Sequence, residues 1–309
     1  MPFPSDVLVE RNVTMSIYNP NTTGQSRTFR YMGKIDLIEG STLVDWKNVS
    51  DPQQYIQSRT IGYQQELYAL AAEMCLDRRI DKIEYRLIKR PSIKLCGKDS
   101  SPSTYEQRCV EWLKNEPGAI LVHPVDINPA RFKAAKLWLW NVSQRILDAR
   151  RDDLWLTNEN ACRLWMRECE YMPLCICEAN GGDCGWMIKE RYEERPQHEE
   201  LEDVEPSDKD TLTYSSGTTF TACERKYYWR YFMSIRPQRD DTSDALYTGS
   251  ASHIGMEWYA KEGIDSALDH ITKWADVHPV IGMDAATKQD QAIARARAIV
   301  RVAAERWPR

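Results

Sequence analysis

Residues 7–48 constrain the fold more than any other part of the chain, because strand-forming runs alternate there with turns. Residues 7–18, 26–40 and 41–48 are rich in Val, Ile, Thr and aromatic side chains, the residue types that are enriched in β-strands. The sequences NPNTTGQ and EGS supply turn-forming residues between these runs. The segment therefore predicts three strands that are joined by a hairpin connection and a tight turn.

After the third strand, helical spacing dominates the sequence. Apolar residues that include Ile61 and Leu67 predict a helix over residues 56–76, and a fourth strand within residues 82–93 is stopped by Pro91. Further helices are predicted over residues 103–116, 129–150, 215–233, 245–262, 264–276 and 285–307. Elements of both kinds indicate a mixed α/β fold, with a central twisted sheet flanked by helices.

A charged segment divides the chain into two parts. Residues 190–211 are mostly acidic and contain few large apolar side chains, which is typical of a solvated linker. Residues 1–189 form a strand-rich half, and residues 212–309 form a helical half. A length of 309 residues allows one large domain or two small ones. We expect the two halves to form one domain together.

Charge and hydropathy exclude some classes of protein. A net charge of −5 at pH 7 provides no overall basic field of the kind that proteins use to coat DNA. A metal-dependent nuclease is still compatible, because its metal site is acidic and basic patches can be local. The sequence contains no run of about 18 apolar residues, so it predicts no membrane span. The chain also lacks the pattern of a secretion signal, so its nine cysteines are not expected to form disulfides, and we expect the clustered ones to bind a metal or a cluster in the cytoplasm.

The segment GKIDLIEGSTLVDWKN contains the strongest candidate site. Asp36 lies on the second predicted strand, and Asp45 and Lys47 lie two residues apart on the third, so that these two share one face. Carboxylates that converge across a hairpin form an oxygen-rich site suited to Mg²⁺ or Mn²⁺. A neighbouring lysine can orient or help to deprotonate a water molecule and stabilise charge on a phosphate. The alternative for a D-x-K triplet alone is a solvated strand edge.

Two further candidates lie on predicted helices. Gln64 and Tyr68 are four residues apart and share a helix face, so their polar groups can meet one ligand; alternatively, they form an ordinary polar patch. His253 has the neutral imidazole that binds divalent metals, although most single helical histidines are structural or exposed to solvent. It becomes a metal ligand if the fold brings it to Asp36 and Asp45.

Five of the nine cysteines are clustered in the sequence. They are Cys162, Cys169, Cys175, Cys177 and Cys184. Cys223 is distant from them in sequence. Clustered thiolates in a reducing compartment indicate a zinc site or an iron–sulfur cluster, and the spacing alone leaves both possibilities open. The alternative, that the cysteines are small buried hydrophobic residues, fits Cys75, Cys96 and Cys109 better.

The segment TACERKYYWRYFMSIRPQR interleaves basic and aromatic side chains. The basic residues are Arg225, Lys226, Arg230, Arg236 and Arg239, and the aromatic ones are Tyr227, Tyr228, Trp229 and Tyr231. Basic groups can follow the phosphates of a single strand while rings stack on its bases. The alternative is that the rings form the buried face of a helix and the charges its wet face.

Taken together, these motifs resemble the RecB-like nucleases of the PD-(D/E)XK superfamily, which include the AddB nuclease domain and the CRISPR-associated exonucleases. The shared features are G-x-I-D, D-x-K, Q-x-x-x-Y and a cysteine group, over residues 7–90 and 158–176. Within residues 211–262, TYSSGTTFTACERKYYWRYFMSIRP is similar to the segment with the first cluster cysteine, and LYTGSASHIGMEWY to the G-x-x-x-H helix. The resemblance implies a restriction-endonuclease-like core and an exonuclease for single-stranded DNA or DNA ends.

The resemblance also implies roles for individual residues. His253, Asp36 and Asp45 would bind Mg²⁺ or Mn²⁺, Lys47 would be catalytic, and Gln64 and Tyr68 would assist at the active site or contact DNA. A structural [4Fe–4S] cluster, with zinc as the alternative, would be held by Cys162, Cys169, Cys175 and Cys223. The setting would be DNA recombination, repair or phage DNA processing in a bacterial or phage-infected cell, with a second copy or a nuclease or helicase subunit as partner.

The sequence departs from the family pattern in two respects. The family often has a C-x2-C-x5-C group, and in this chain Met166 stands at the position of one of its cysteines. Cys162 must then take the place of that ligand, with Cys177 or Cys184 as alternatives. The cysteine–tyrosine and histidine helices follow the strands here and precede them in the family. Three explanations are a circular permutation with residues 190–211 as the new connection, a fragment of a tandem nuclease, and pairing of halves between two chains. We favour the permutation.

The competing function is a non-catalytic subunit that binds DNA or acts as a scaffold and is stapled by a cluster or zinc. An intact set of Asp36, Asp45 and Lys47 favours the nuclease. A fold that fails to bring His253 to this set would favour the non-catalytic subunit.

Overall fold

A computed structural model of the chain describes residues 7–59, 61–164, 167–199, 201, 207–238, 243–281 and 284–308. The fold is mixed α/β, with a mixed central sheet flanked by helices, as the sequence predicts. The strands are β1 (Val7–Tyr18), β2 (Gln25–Glu39), β3 (Thr42–Val49), β4 (Lys82–Lys89), β5 (Ile120–Val125), β6 (Arg163–Leu164), β7 (Arg167–Glu168), β8 (Tyr192–Glu194), β9 (Asp210–Leu212) and β10 (Ile235–Pro237).

The helices frame this sheet. They are α1 (Pro52–Arg59), α2 (Gln64–Leu76), α3 (Pro102–Asn115), α4 (Pro129–Asp152), α5 (Glu159–Cys162), α6 (Met172–Ala179), α7 (Gly185–Arg191), α8 (Tyr214–Ala222), α9 (Glu224–Tyr227), α10 (Asp244–Glu262), α11 (Ile264–Val277) and α12 (Ala285–Arg306), and a π-helical turn over Tyr228–Phe232 follows α9. In the part of the chain that the structure describes, no helix is both long and apolar enough to cross a membrane.

The central sheet has the strand order β1-β2-β3-β4-β5, with β9 beside β2. The β3–β4 and β2–β9 pairs are parallel and the other pairs are antiparallel. Strands β1 to β4 lie where the sequence predicts them. Strand β5 was missed because Pro124 interrupts its pattern, and a proline is tolerated there because β5 is an edge strand whose outer side needs no N–H donor.

The predicted helix over residues 56–76 is wrong at its centre, where α1 ends and α2 begins. Ile61, which was expected on the apolar helix face, is 84% exposed. The neighbouring Gly62 makes a close approach: a Cβ atom there would lie 2.7 Å from the hydroxyl oxygen of Tyr214. The break is therefore set by a tertiary contact that helical periodicity does not encode. The helix predicted over residues 215–233 also breaks, at Cys223, whose backbone is extended.

Two hydrophobic cores cover the two faces of the sheet. The first combines Ile35 of β2 with Leu67, Ile146 and Phe220 from helices α2, α4 and α8. The second includes Leu37 and Trp46 from the sheet and Tyr259 and Ile299 from α10 and α12. Each core therefore contains side chains from both predicted halves of the chain.

The described parts of the acidic segment 190–211 contribute two short strands to the fold. Strand β8 pairs with β10, strand β9 pairs with β2, and Arg195 is buried. The Arg236 guanidinium lies 2.6 Å from carboxylates of both Glu193 and Glu199. These contacts join the described ends of the segment to strands and side chains that are distant in sequence, which the pattern of charges alone does not predict.

Candidate metal centre and cysteine cluster

Asp36 lies where β1, β2 and β3 meet. Its Oδ2 accepts a hydrogen bond of 2.9 Å from the backbone N–H of Trp46 on β3. On the other side, the β1–β2 register continues from Val9 opposite Leu37 to Arg11 opposite Ile35. This register puts Glu10 opposite Asp36, so two carboxylates face each other across neighbouring strands.

Glu10 has a backbone conformation that is unusual for its residue type. Its φ angle is 49°, in the left-handed region, which costs a residue other than glycine about 1–3 kcal/mol; outside helix caps, such residues cluster at functional sites. At this point β1 changes the face that it buries, because Val9 packs on the second core and Val13 lies in the first. The sequence analysis missed Glu10. The available signal was the loss of strand alternation over Val7–Val13.

His253 reaches both carboxylates from helix α10. Its Nε2 atom lies 3.7 Å from Oδ2 of Asp36, and its Nδ1 atom lies 3.7 Å from Oε1 of Glu10. Each of the three residues offers a ligand atom within 4.8 Å of the others, so they are placed to hold one metal ion. Gly255 lets α10 pack closely, because a Cβ there would lie 2.6 Å from side chains of α11 and α12.

Asp45 and Lys47 lie next to this group, on the interior strand β3. The Nζ atom of Lys47 lies 3.0 Å from Oδ1 of Asp45 and 3.5 Å from Oδ2 of Asp36. Asp45 is 2% exposed, which rules out the alternative of a solvated strand edge. Its second oxygen, Oδ2, is buried without a hydrogen-bond partner. Such an oxygen is costly to bury unless it accepts a bond from a ligand or a water molecule.

The charges in this group shift the pKa values of its members. Burial raises the pKa of Asp36, but Lys47 and His253 outweigh it and lower the net value. Burial and the charge of Asp36 raise the pKa of Asp45. Burial lowers the pKa of Lys47, but the two aspartates outweigh it and raise the value well above normal. Burial likewise lowers the pKa of His253, but Asp36 and Glu10 raise it overall. Lys47 therefore remains a cation, and protons compete with any metal for His253.

Gln64 and Tyr68 share a face of α2, as predicted, and their side chains are hydrogen-bonded to each other at 3.0 Å. Tyr68 packs directly on the backbone of Gly33, where a Cβ atom would lie 2.4 Å from the ring. Burial raises the pKa of Tyr68, so its phenol stays protonated and can donate a hydrogen bond. The glycine of G-x-I-D thus makes room for the tyrosine of Q-x-x-x-Y.

A cleft of about 640 Å³ opens over these residues, and we call it the metal cleft. Its lining includes Glu10, Asp36, His253, Gln64 and Tyr68, which come from four different elements. Asp45 and Lys47 are not part of this lining. The cleft is large enough for a nucleotide-sized ligand, since small-molecule sites have volumes of about 300–1,000 Å³.

The four cysteines that the resemblance implies as cluster ligands lie near one another. Burial raises the pKa of Cys162, and the nearby thiols of Cys169 and Cys223 raise it further. Burial raises the pKa of Cys175 to about 11, again with contributions from Cys169 and Cys223. The backbone N–H of Cys169 donates a hydrogen bond of 2.7 Å to the carbonyl of Cys162. Met166, which takes the place of the family's further cysteine, lies outside the described residues.

Cys223 owes its position to the helix that precedes it. A capping box between Thr213 and Ser216 fixes the start of α8, and the helix ends at the extended backbone of Cys223. The alternative ligands, Cys177 and Cys184, interact with each other: burial and the interaction with Cys177 together raise the pKa of Cys184 to about 12.

The basic and aromatic segment, residues 221–239, contributes buried rings to the protein interior and basic side chains to ion pairs. Three of its rings, those of Tyr227, Trp229 and Tyr231, are at most 5% exposed, so stacking on bases is excluded for them in this conformation. Its basic side chains pair with carboxylates: Arg225 with Glu178, Lys226 and Arg230 with Glu170, and Arg236 with Glu193 and Glu199. Arg239 lies outside the described residues.

Comparison with family models, with curated proteins and with solved structures finds no match to this chain.

Proposed function

We propose that this chain is a Mg²⁺- or Mn²⁺-dependent DNA exonuclease with a PD-(D/E)XK core, which hydrolyses phosphodiester bonds of single-stranded DNA or DNA ends. The observation that carries the proposal is the convergence of His253 with Asp36 in one cleft, although they lie in opposite halves of the chain. The resemblance to RecB-like nucleases led us to expect this contact, and the spacing of the residues does not determine it.

The chemistry of the ligand set supports the choice of metal. Glu10 and Asp36 supply carboxylate oxygens and His253 supplies one nitrogen, a set that suits Mg²⁺ or Mn²⁺. When bound, such an ion polarises a phosphate and lowers the pKa of a coordinated water molecule. The unpartnered Oδ2 of Asp45, on the strand beside Asp36, is a further acceptor that a bound ion or its water molecule would satisfy.

The other polar residues have separate tasks in this proposal. Lys47 stabilises negative charge on the phosphate and does not act as a base, because Asp36 and Asp45 raise its pKa. Asp45 holds Lys47 in place. Gln64 and Tyr68 provide hydrogen-bond donors at the wall of the cleft, where they contact the DNA backbone.

We propose that Cys162, Cys169, Cys175 and Cys223 hold a structural [4Fe–4S] cluster. The resemblance to RecB-like nucleases favours the cluster over zinc. Cys169 and Cys223 influence the pKa values of both Cys162 and Cys175, which supports grouping the four thiols at one site. The cluster would connect the Cys162–Cys175 loop to the end of α8 and would require a reducing compartment such as the cytoplasm.

The order of the elements is compatible with a natural permutation. One chain contains both Asp36 and His253 in contact, so a second chain is not needed to build the metal site. This favours the permuted domain over halves that pair between two chains.

The proposal is tested by incubating anaerobically purified protein and Mn²⁺ with end-labelled single-stranded DNA. We expect Asp36→Asn to leave the DNA intact, because Asp36 is one of the three proposed metal ligands. The wild-type protein and the control variant Asp148→Asn, at an exposed position of α4, should degrade it. DNA that is bound but not cleaved by the wild-type protein would favour the non-catalytic subunit. Equal cleavage by both variants would contradict the assignment of the site.

A further inference from the structure

A second pocket, of about 370 Å³, lies beside the metal cleft. Arg59 lines both cavities. At the start of α2, Gln64 lines the metal cleft, whereas the next two residues, Gln65 and Glu66, line the second pocket. Since Cα atoms of consecutive residues are about 3.8 Å apart, one DNA strand can reach both cavities.

Gln65 is the least expected side chain of the second pocket. It is 2% exposed, and its carbonyl oxygen accepts no hydrogen bond. The hydroxyl of Tyr85 is the one group near enough to receive its amide nitrogen. A buried acceptor without a donor is costly, and the described protein offers no donor to this oxygen. A ligand with a donor for the oxygen, and with an acceptor that shares the amide nitrogen with Tyr85, would satisfy both atoms.

The rest of the lining fits a planar, polar ligand. Ile56 and Val125 provide apolar surface, and the ring of Tyr85 lies beside them. The Oε2 atom of Glu66 is buried without a partner, although its other oxygen is held by Arg131. The pocket therefore combines the Gln65 amide and one Glu66 oxygen with apolar surface, and the polar side chains of Arg59, His123, Asp126 and Arg131 also line it.

We infer that this pocket binds the base of a nucleotide adjacent to the scissile phosphate, and that Gln65 recognises adenine there. A glutamine amide matches the amino donor and ring-nitrogen acceptor of adenine in a bidentate pair. Glu66 can accept a further bond from the amino group. This inference rests on the proposed function, because DNA in the metal cleft is what brings a base to the pocket.

Binding of labelled oligothymidylates tests the inference. The oligonucleotides carry a single adenine at successive positions, or a purine base without the 6-amino group in its place. Fluorescence anisotropy is measured with Mn²⁺ in an Asp45→Ala background, so that the strand stays intact. We expect adenine at one position to bind about tenfold more tightly than the unsubstituted purine, within the range of a bidentate base contact.

Gln65→Leu keeps the size of the side chain and removes its polar atoms. It should abolish the difference between adenine and purine, and it should change the melting temperature little, because the loss of the weak contact with Tyr85 is offset by the loss of a buried acceptor that has no donor. Gln107→Leu makes the same change on the exposed face of α3 and should retain the preference. Gln65→Met provides a second test if the leucine variant fails to fold.

Three results would overturn the inference: equal binding of adenine and purine at every position, a preference that survives Gln65→Leu, and binding of free dAMP through Gln65 without any adenine preference in the strand. Wild-type hydrolysis of a pure oligothymidylate tests the proposed function separately. Hydrolysis without a base preference would remove the base pocket and leave the nuclease.

Discussion

The contact between Gly33 and Tyr68 gives a prediction whose size follows from the structure. A Cβ atom on residue 33 would lie 2.4 Å from Cε1 and 2.9 Å from Cδ1 of Tyr68. Since carbon atoms pack at about 3.5–4.0 Å, Gly33→Ala must displace the ring by about 1 Å. Overpacking of this kind costs about 1–3 kcal/mol, which lowers the melting temperature by a few degrees.

The same displacement should reduce activity, because Tyr68 and its partner Gln64 line the metal cleft. A shift of about 1 Å in a positioning group can cost about a hundredfold in rate. We expect Gly33→Ala to lose DNA hydrolysis on this scale, as measured with end-labelled single-stranded DNA alongside thermal unfolding. Gly97→Ala is the matched control, because a Cβ there meets no atom within 4 Å.

A double-mutant cycle of Gly33→Ala and Tyr68→Ala tests whether the loss of stability comes from the contact with the Tyr68 ring. In a Tyr68→Ala background the ring is gone, so Gly33→Ala should cost little further stability, with a coupling of about 0.5–3 kcal/mol between the two positions. Wild-type stability and activity in Gly33→Ala, or equal losses with and without the Tyr68 ring, would refute the account of this contact.

Three other predictions concern the metal and the cluster. Cys223→Ser should lower stability and iron content, whereas Cys75→Ser, at an exposed thiol, should not; unchanged iron in the first variant would remove Cys223 from the ligand set. Asp45→Ala should abolish cleavage and keep the brown colour that an iron–sulfur cluster gives the protein. Loss of the colour would contradict separate roles for the metal site and the cluster. Mn²⁺ affinity, measured by calorimetry, should fall as the pH falls through the raised pKa of His253, because the protonated ring cannot bind metal; an affinity independent of pH would exclude His253 as a ligand.

The strands of the fold could be predicted because their signals are local. Alternation and turn residues over residues 7–48 specify β1, β2 and β3, and the same period places Asp45 and Lys47 on one face. Strand β5 was missed because Pro124 looks like an interruption until the strand is seen to lie at an edge. The break between α1 and α2 could not be predicted, since it depends on the approach of Tyr214 to Gly62.

The candidate metal centre was predictable only in part, because its geometry depends on tertiary packing. Asp36 and His253 were candidates from their residue types and from the resemblance, but their distance depends on how α10 packs over the sheet. Glu10 was missed because its position depends on a left-handed backbone conformation within a strand. The tertiary structure, and not the local pattern, decides which carboxylates share the cleft.

The most direct test of the central claim is Mn²⁺-dependent hydrolysis by Glu10→Gln, since the motifs alone do not suggest this residue. A titration of Mn²⁺ against the rate of hydrolysis of end-labelled single-stranded DNA should show a large loss of apparent metal affinity in Glu10→Gln. Glu73→Gln, the same change at an exposed position of α2, should behave as wild type. A wild-type metal dependence in Glu10→Gln would contradict a metal centre built from Glu10, Asp36 and His253.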